Sequence, residues 1–66
     1  MSLGGRIKEA RLEKGIKQKE LAKTLHMTQA AVSAWETGKR VPPYDIIKLI
    51  AKTLDCDINY LFEWDE

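Results

Sequence analysis

Apolar residues along the chain recur with the spacing of α-helices. They fall at intervals of one, three and four residues, which places them on one face of a helix with about 3.6 residues per turn. The residues that carry this pattern are Ile7, Ala10, Ile16, Leu21, Ala22, Leu25, Ala31, Val32, Trp35, Ile47, Ile50, Ala51, Leu54, Ile58, Leu61 and Phe62. No segment alternates apolar and polar residues for long enough to predict a β-strand. The pattern predicts an all-α fold with these residues in or near its core.

Glycine, proline and capping residues mark the ends of the helices. Gly15 and Gly38 follow periodic segments and can take the left-handed conformation of a helix C-cap. The Val-Pro-Pro run at 41–43 cannot lie inside a helix. Thr28 and Asp57 precede periodic segments, where a side-chain oxygen can cap free backbone N–H groups. The predicted helices span residues 4–14, 18–25, 29–37, 44–54 and 58–62.

The link between the second and third predicted helices, residues 25–28, is very short. A link of about three or four residues makes two short helices meet at a steep angle, the arrangement called helix-turn-helix. Short helix pairs also occur in plain helical bundles and in protein-interaction modules. The link alone therefore favours DNA binding only weakly.

The length of 66 residues allows one domain, because compact domains need about 50 residues or more. We predict a single domain over residues 1–66, with 1–5 as a flexible lead-in. One cysteine and one histidine exclude an internal disulfide and a cysteine-rich zinc site. No apolar run predicts a membrane span, and no signal-peptide pattern opens the chain. We expect a cytoplasmic protein that is not an enzyme and uses no metal, cofactor or small-molecule ligand.

Charge divides unevenly along the sequence although the formal net charge is only +1. Residues 1–44 hold nine lysines and arginines against four acidic residues, whereas residues 45–66 hold two against six. Such a division indicates that one end of the domain faces an anionic partner. Two solvated surfaces that differ by chance would give the same division, so charge alone does not decide.

The function is indicated by short motifs in a fixed order. They are Arg6-Ile7, Arg11, Gln18-Lys19-Glu20-Leu21-Ala22, Val32-Ser33-Ala34-Trp35-Glu36-Thr37-Gly38-Lys39 and Ile50-Ala51-Lys52-Thr53-Leu54. At this spacing, over about residues 6–62, the chain resembles the phage repressor/Cro-like (XRE-type) helix-turn-helix family. The resemblance implies a compact five-helix domain that binds double-stranded DNA with its third helix in the major groove.

Three positions depart from the family pattern. His26 and Asp55 stand where the family usually has glycine, and Lys17 replaces the usual threonine or serine cap of the second helix. A non-glycine residue in a left-handed conformation and a missing cap each cost stability. We expect modest stability, with no DNA contact removed.

Four residues on one side of the third helix are candidates for contact with bases: Gln29, Ala30, Ser33 and Ala34. The resemblance implies a base-contacting glutamine at Gln29, and a glutamine can bond adenine N6 and N7 together. The alanines can touch a thymine methyl group, and Ser33 bonds donors or acceptors alike. Because few of these groups form hydrogen bonds, we expect DNA shape to contribute to specificity.

A second set is predicted to contact phosphates, which fixes affinity and register but carries no sequence information. The set consists of Lys17, Gln18, Thr28, Thr37, Lys39, Arg40 and Tyr44. Gln18 begins the second helix, where free N–H groups attract an anion. Lys39 and Arg40 follow the third helix.

Two further roles are predicted to be structural. The resemblance implies that Arg11 and Glu36 form a largely buried ion pair between the first and third helices. Cys56 takes a position that the family fills with a small apolar residue, which predicts a buried, inert thiol.

Apolar residues beyond the inward stripe of the fourth helix predict a dimer interface: Ile46, Leu49, Tyr60 and Trp64. The resemblance implies dimerisation through this region, with two third helices about 34 Å apart on a palindrome. The predicted function is a sequence-specific, dimeric transcriptional regulator. The alternative is a protein-interaction module, or an antitoxin-like partner-binding protein, on the same fold.

Overall fold

The computed structural model describes residues 2–62, and within this range the chain folds into helices and connecting turns. The helices are α1 (Leu3–Lys14), α2 (Gln18–Thr24), α3 (Gln29–Thr37), α4 (Tyr44–Thr53) and α5 (Ile58–Phe62). The predicted all-α, five-helix architecture is confirmed, and each predicted boundary lies within one residue of the observed one. None of the helices in residues 2–62 has the length and apolarity that a membrane span requires.

The helix ends are formed by the residues that the sequence indicates. Gly15 (φ 76°) and Gly38 (φ 84°) end α1 and α3 in the left-handed conformation. The Thr28 hydroxyl accepts a hydrogen bond from the Ala31 N–H at 3.1 Å and caps α3. Asp57 accepts from the backbone N–H of Asn59 at 2.8 Å, ahead of α5. Local capping therefore fixes these four boundaries.

The three departures from the family pattern have visible consequences. His26 (φ 57°) and Asp55 (φ 54°) take the left-handed backbone conformation that glycine adopts more cheaply. At α2, Glu20 accepts a hydrogen bond from the backbone N–H of Lys17 at 2.8 Å. That bond satisfies one N–H at the start of the helix, so part of the capping that Lys17 does not supply is restored.

Residues 3–5 lie in α1, which differs from the predicted flexible lead-in over residues 1–5. Ser2 accepts a hydrogen bond from the Gly5 N–H at 3.0 Å and caps α1, and Leu3 is only 6% exposed. A Cβ atom at Gly4 would lie 2.1 Å from the carbonyl oxygen of Trp35. Gly4 is therefore a close-packing residue that lets α1 rest on the end of α3.

The core is built from all five helices. Its buried apolar residues are Leu3, Ile7, Ala10, Leu21, Ala22, Leu25, Val32, Trp35, Ile47, Ile50, Ala51, Leu54 and Leu61. Ile16, Ala31 and Ile58 are partly buried against this core. Phe62, which the apolar pattern groups with Leu61, is 37% exposed. The core holds α3 by one face, because Val32 and Trp35 point into it, and leaves the other face to the surface.

Candidate nucleic-acid interface

Helix α3 has two chemically different faces. Val32 and Trp35 are buried in the core. On the other side Gln29 and Ala30 are exposed at the start of the helix. The first turn of α3 is therefore exposed, while the opposite face of the helix packs against the core.

Two of the four candidate base contacts are less accessible than the helical pattern suggests. Ser33 and Ala34 are half-buried, whereas Gln29 and Ala30 are exposed. The structure therefore gives the N-terminal turn of α3 the freest approach to a groove. That geometry concentrates the potential for base contact at Gln29, the residue with hydrogen-bonding groups that suit a base edge.

The two threonines among the predicted phosphate contacts have opposite hydrogen-bonding capacity. Because the Thr28 oxygen already accepts from the Ala31 N–H, its own O–H proton is available to a phosphate. The Thr37 hydroxyl instead donates to the carbonyl oxygen of Ser33 at 3.0 Å. As placed, Thr37 presents only acceptor lone pairs, and its side chain must rotate before it can donate to a phosphate.

The cationic candidates lie on both flanks of the helix-turn-helix. Lys39 and Arg40 are exposed just beyond α3, and their backbone N–H groups both donate to the carbonyl oxygen of Ala34, at 2.9 and 3.2 Å. The loop is therefore anchored to α3 while the side chains remain accessible. Lys17 is exposed at the start of α2.

Arg11 and Glu36 form a buried ion pair, as the resemblance implies. The Arg11 Nε and Nη2 atoms donate to the two Glu36 carboxylate oxygens at 2.7 and 3.1 Å, a bidentate arrangement. The two side chains are 8% and 2% exposed. Arg11 Nη1 also donates to the carbonyl oxygen of Ile16 at 2.8 Å, which fixes the turn between α1 and α2.

Gln18, predicted to contact a phosphate, is half-buried and already has one protein partner. Its side-chain nitrogen Nε2 donates to Glu36 Oε1 at 2.9 Å. From the sequence alone, Gln18 and the ion pair are separate features. Their connection spans residues far apart in the sequence, and no local sequence signal indicates it.

Tyr44 packs at the junction of α4 and α5. Its ring lies 6.0 Å from that of Phe62, and the Lys48 ammonium lies 5.2 Å from the Tyr44 ring centroid. The side chain is 60% exposed. This aromatic pair is not predicted from the sequence, because the apolar pattern groups Phe62 with the residues of the core.

The predicted dimer residues differ in accessibility. Leu49 is 47% exposed, while Ile46 is partly buried against the core. Tyr60 is half-buried at α1: its hydroxyl donates to Glu9, and Arg6 stacks 4.7 Å from the ring centroid. The bond to Glu9 raises the pKa of Tyr60. Trp64 lies outside the described residues.

Cys56 borders an open groove of about 320 Å³ between α1 and the turn before α5. The thiol is half-buried, less enclosed than the sequence analysis expects. Burial, together with Asp57 and Asp55, raises the pKa of Cys56, so the thiol stays protonated and unreactive near neutral pH. Within residues 2–62 no group of three or more histidine, cysteine and acidic side chains is arranged to bind a metal ion.

Comparison with known sequences agrees with this geometry. The "ImmF control region 10 kDa protein" of Bacillus phage phi105 is 39% identical over 59 residues, which is 89% of this chain and 66% of that protein. The "HTH-type transcriptional regulator ImmR" of Bacillus subtilis (strain 168) is 36% identical over 66 residues, 100% of this chain and 52% of that one. Across such relatives, the chain spans between 32% and 66% of their length.

Solved structures share the fold over almost the whole chain. The P22 c2 repressor in complex with synthetic operator 9T superposes with a TM-score of 0.86 at 30% identity, covering 92% of each chain. The restriction-modification controller protein C.AhdI from Aeromonas hydrophila gives 0.84 at 32% identity, covering 91% of this chain and 87% of that one. A family model described as helix-turn-helix matches residues 7–61, and the chain therefore belongs to the helix-turn-helix family.

Proposed function

We propose that the chain binds double-stranded DNA sequence-specifically and regulates transcription, with α3 in the major groove. The observation that carries the proposal is the exposed first turn of α3, which bears Gln29 and Ala30 while the opposite face is locked into the core. An α-helix fits the width of the major groove, where base pairs differ in their donor and acceptor patterns. The fold thus holds α3 in place and exposes the polar side chain of Gln29 on the surface that would face the groove.

Similarity to known regulators supports the same function. The P22 c2 repressor, 30% identical to this chain, is solved with its operator DNA. ImmR is named as a transcriptional regulator. Since the P22 c2 repressor shares the fold of this chain and ImmR is similar in sequence, we infer a regulator that acts by occupying an operator.

The contacts divide into two groups by chemistry. Gln29, assisted by Ala30, Ser33 and Ala34, would contact bases. Exposed cations on both flanks, with the free O–H of Thr28, would contact phosphates and fix the register of α3 on the duplex. Thr37 stays in the proposed phosphate set with a condition, because its O–H first has to leave the Ser33 carbonyl oxygen. Tyr44 stays in the set because it is 60% exposed.

Replacement of Gln29 by alanine is expected to weaken binding to the preferred site by about 1–3 kcal/mol and to relax the choice of base at one position per half-site. Lys39→Ala is the matched control, because a phosphate contact affects all sequences alike. Titration of both variants against the preferred duplex and its single-base variants measures the difference. If both variants lost affinity by the same factor on every duplex, Gln29 would not be a base-contacting residue.

We further propose that two copies associate through α4 and the adjoining C-terminal segment. Ile46 and Leu49 are three residues apart and therefore neighbours on α4, and Leu49 is 47% exposed. Tyr60 and Trp64 remain candidates. The Tyr60 hydroxyl already donates to Glu9 of α1, so only the rest of that side chain is available to a second copy. A two-fold axis near α4 would present two α3 helices to successive major-groove turns, about 34 Å apart.

Leu49→Glu is expected to weaken self-association by about ten-fold or more, because it places a charge in an apolar contact. Leu12→Glu is the matched control, since Leu12 is 58% exposed and belongs to α1, which is not part of the proposed interface. Sedimentation equilibrium at several concentrations, with and without DNA, measures both. One subunit bound per palindromic site in the wild-type protein would contradict the dimer.

A further inference from the structure

The ion pair and the proposed phosphate contact Gln18 form one hydrogen-bond network. Glu36 of α3 accepts from Arg11 of α1 and, at 2.9 Å, from the side-chain nitrogen of Gln18 at the start of α2. The Glu36 side chain is 2% exposed, so solvent does not compete for its oxygens. The three helices thus meet at one buried carboxylate.

The chemistry of Glu36 determines how the Gln18 amide is oriented. An ionised carboxylate only accepts hydrogen bonds, so it attracts the NH₂ end of the amide and repels the oxygen end. One of the two N–H groups of Gln18 is used in this bond. The second N–H remains for a partner outside the network, and its direction is fixed because the carboxylate is itself held by Arg11.

We propose that Glu36 is a positioning residue for DNA binding: it holds the Gln18 amide so that the second N–H meets a backbone phosphate. This proposal rests on the proposed function and adds to it a role for the buried pair besides stability. A glutamine side chain loses rotamer freedom when it binds. A side chain that is already held loses less, so preorganisation increases the affinity that its contact provides.

The first test examines the free wild-type protein by nuclear magnetic resonance. Gln29, the other glutamine, is exposed and serves as an internal control. We expect the Gln18 side-chain amide protons to exchange slowly with water and to have chemical shifts unlike those of a free glutamine, and the Gln29 protons to exchange rapidly at ordinary shifts. If the Gln18 protons exchanged as fast as those of Gln29 and had the same ordinary shifts, the proposal would be overturned, whatever the protein does with DNA.

The second test measures coupling on a short duplex of mixed sequence, because phosphate contacts do not depend on base sequence. Gln18→Ala is introduced into the wild type and into Arg11→Met/Glu36→Leu, which removes the pair together. Affinities are corrected for the folded fraction measured by circular dichroism. We expect Gln18→Ala to weaken binding about ten-fold in the wild type and by less than about two-fold in the double variant.

Lys39→Ala is the control in both backgrounds, and its loss should be the same in each because Lys39 lies outside the network. Equal losses for Gln18→Ala in the two backgrounds would overturn the positioning role while leaving DNA binding intact. A wild-type protein with no affinity for the duplex would overturn the proposed function as well. Should the double variant fail to fold, the resonance measurement on the wild type still decides the orientation of Gln18.

Discussion

Replacement of Arg11 by methionine is expected to lower the free energy of unfolding by about 3–5 kcal/mol. The substitution leaves the Glu36 carboxylate, 2% exposed, without its cationic partner and with the amide of Gln18 as its remaining described donor. It also removes the bond from Arg11 to the carbonyl oxygen of Ile16. A domain of this size has a total stability of only about 5–10 kcal/mol, so much of the chain would unfold near body temperature.

The Arg11→Met/Glu36→Leu double variant is expected to recover much of that loss, because no charge is then left buried. Lys14→Met provides a control: Lys14 pairs with Asp55 at 3.9 Å with both side chains exposed, and such pairs contribute less than about 1 kcal/mol. Urea unfolding followed by circular dichroism compares the variants. A single Arg11→Met variant with the midpoint of the wild type would show that the pair does not stabilise the fold.

DNA binding is expected to fall steeply as salt rises. If about four phosphates are neutralised per subunit, the plot of log K against log salt has a slope of about −3 to −4 per subunit. For a dimer this corresponds to a loss of about three to five orders of magnitude between dilute and near-physiological salt. Fluorescence anisotropy with a labelled duplex measures the slope.

Arg40→Ala should make that slope shallower by about one, because it removes one cation from the flank of α3. Glu13→Gln, at an exposed position on α1 by the groove beside Cys56, should leave the slope unchanged. A slope near zero for the wild type would contradict the assignment of Lys17, Lys39 and Arg40 to phosphates.

The fold could be predicted because its helix boundaries are local. Gly15 and Gly38 end α1 and α3, and Thr28 caps the start of α3. These caps are formed by residue types that favour them and involve only residues nearby in the sequence. Gly4 shows the limit of such reasoning. Its role depends on the Trp35 carbonyl, which is remote in sequence. The neighbouring residues predict a flexible glycine, whereas the structure requires glycine there for close packing.

The helical pattern could predict that Gln29 and Ala30 lie on the exposed face of α3, but it could not predict the hydrogen bonds of the candidate residues. The helical pattern separates the two faces of α3. It does not show that the Thr28 O–H is available to a ligand while the Thr37 O–H donates to the carbonyl oxygen of Ser33. Nor can it join Gln18 to Glu36, because that contact forms only when α2 docks on α3. The two threonine bonds are local and depend on the rotamer that each side chain adopts, whereas the Gln18 bond depends on a tertiary neighbour.

Selection of preferred sites from a pool of randomised duplexes is the measurement that tests sequence-specific binding most directly. With the wild-type protein at moderate salt, we predict enrichment of one two-fold symmetric site, with half-sites about one helical turn apart. Each base pair that α3 contacts should cost about 1–3 kcal/mol when changed. A folded protein that bound the pool without enriching any sequence, or that did not bind it at all, would contradict the account.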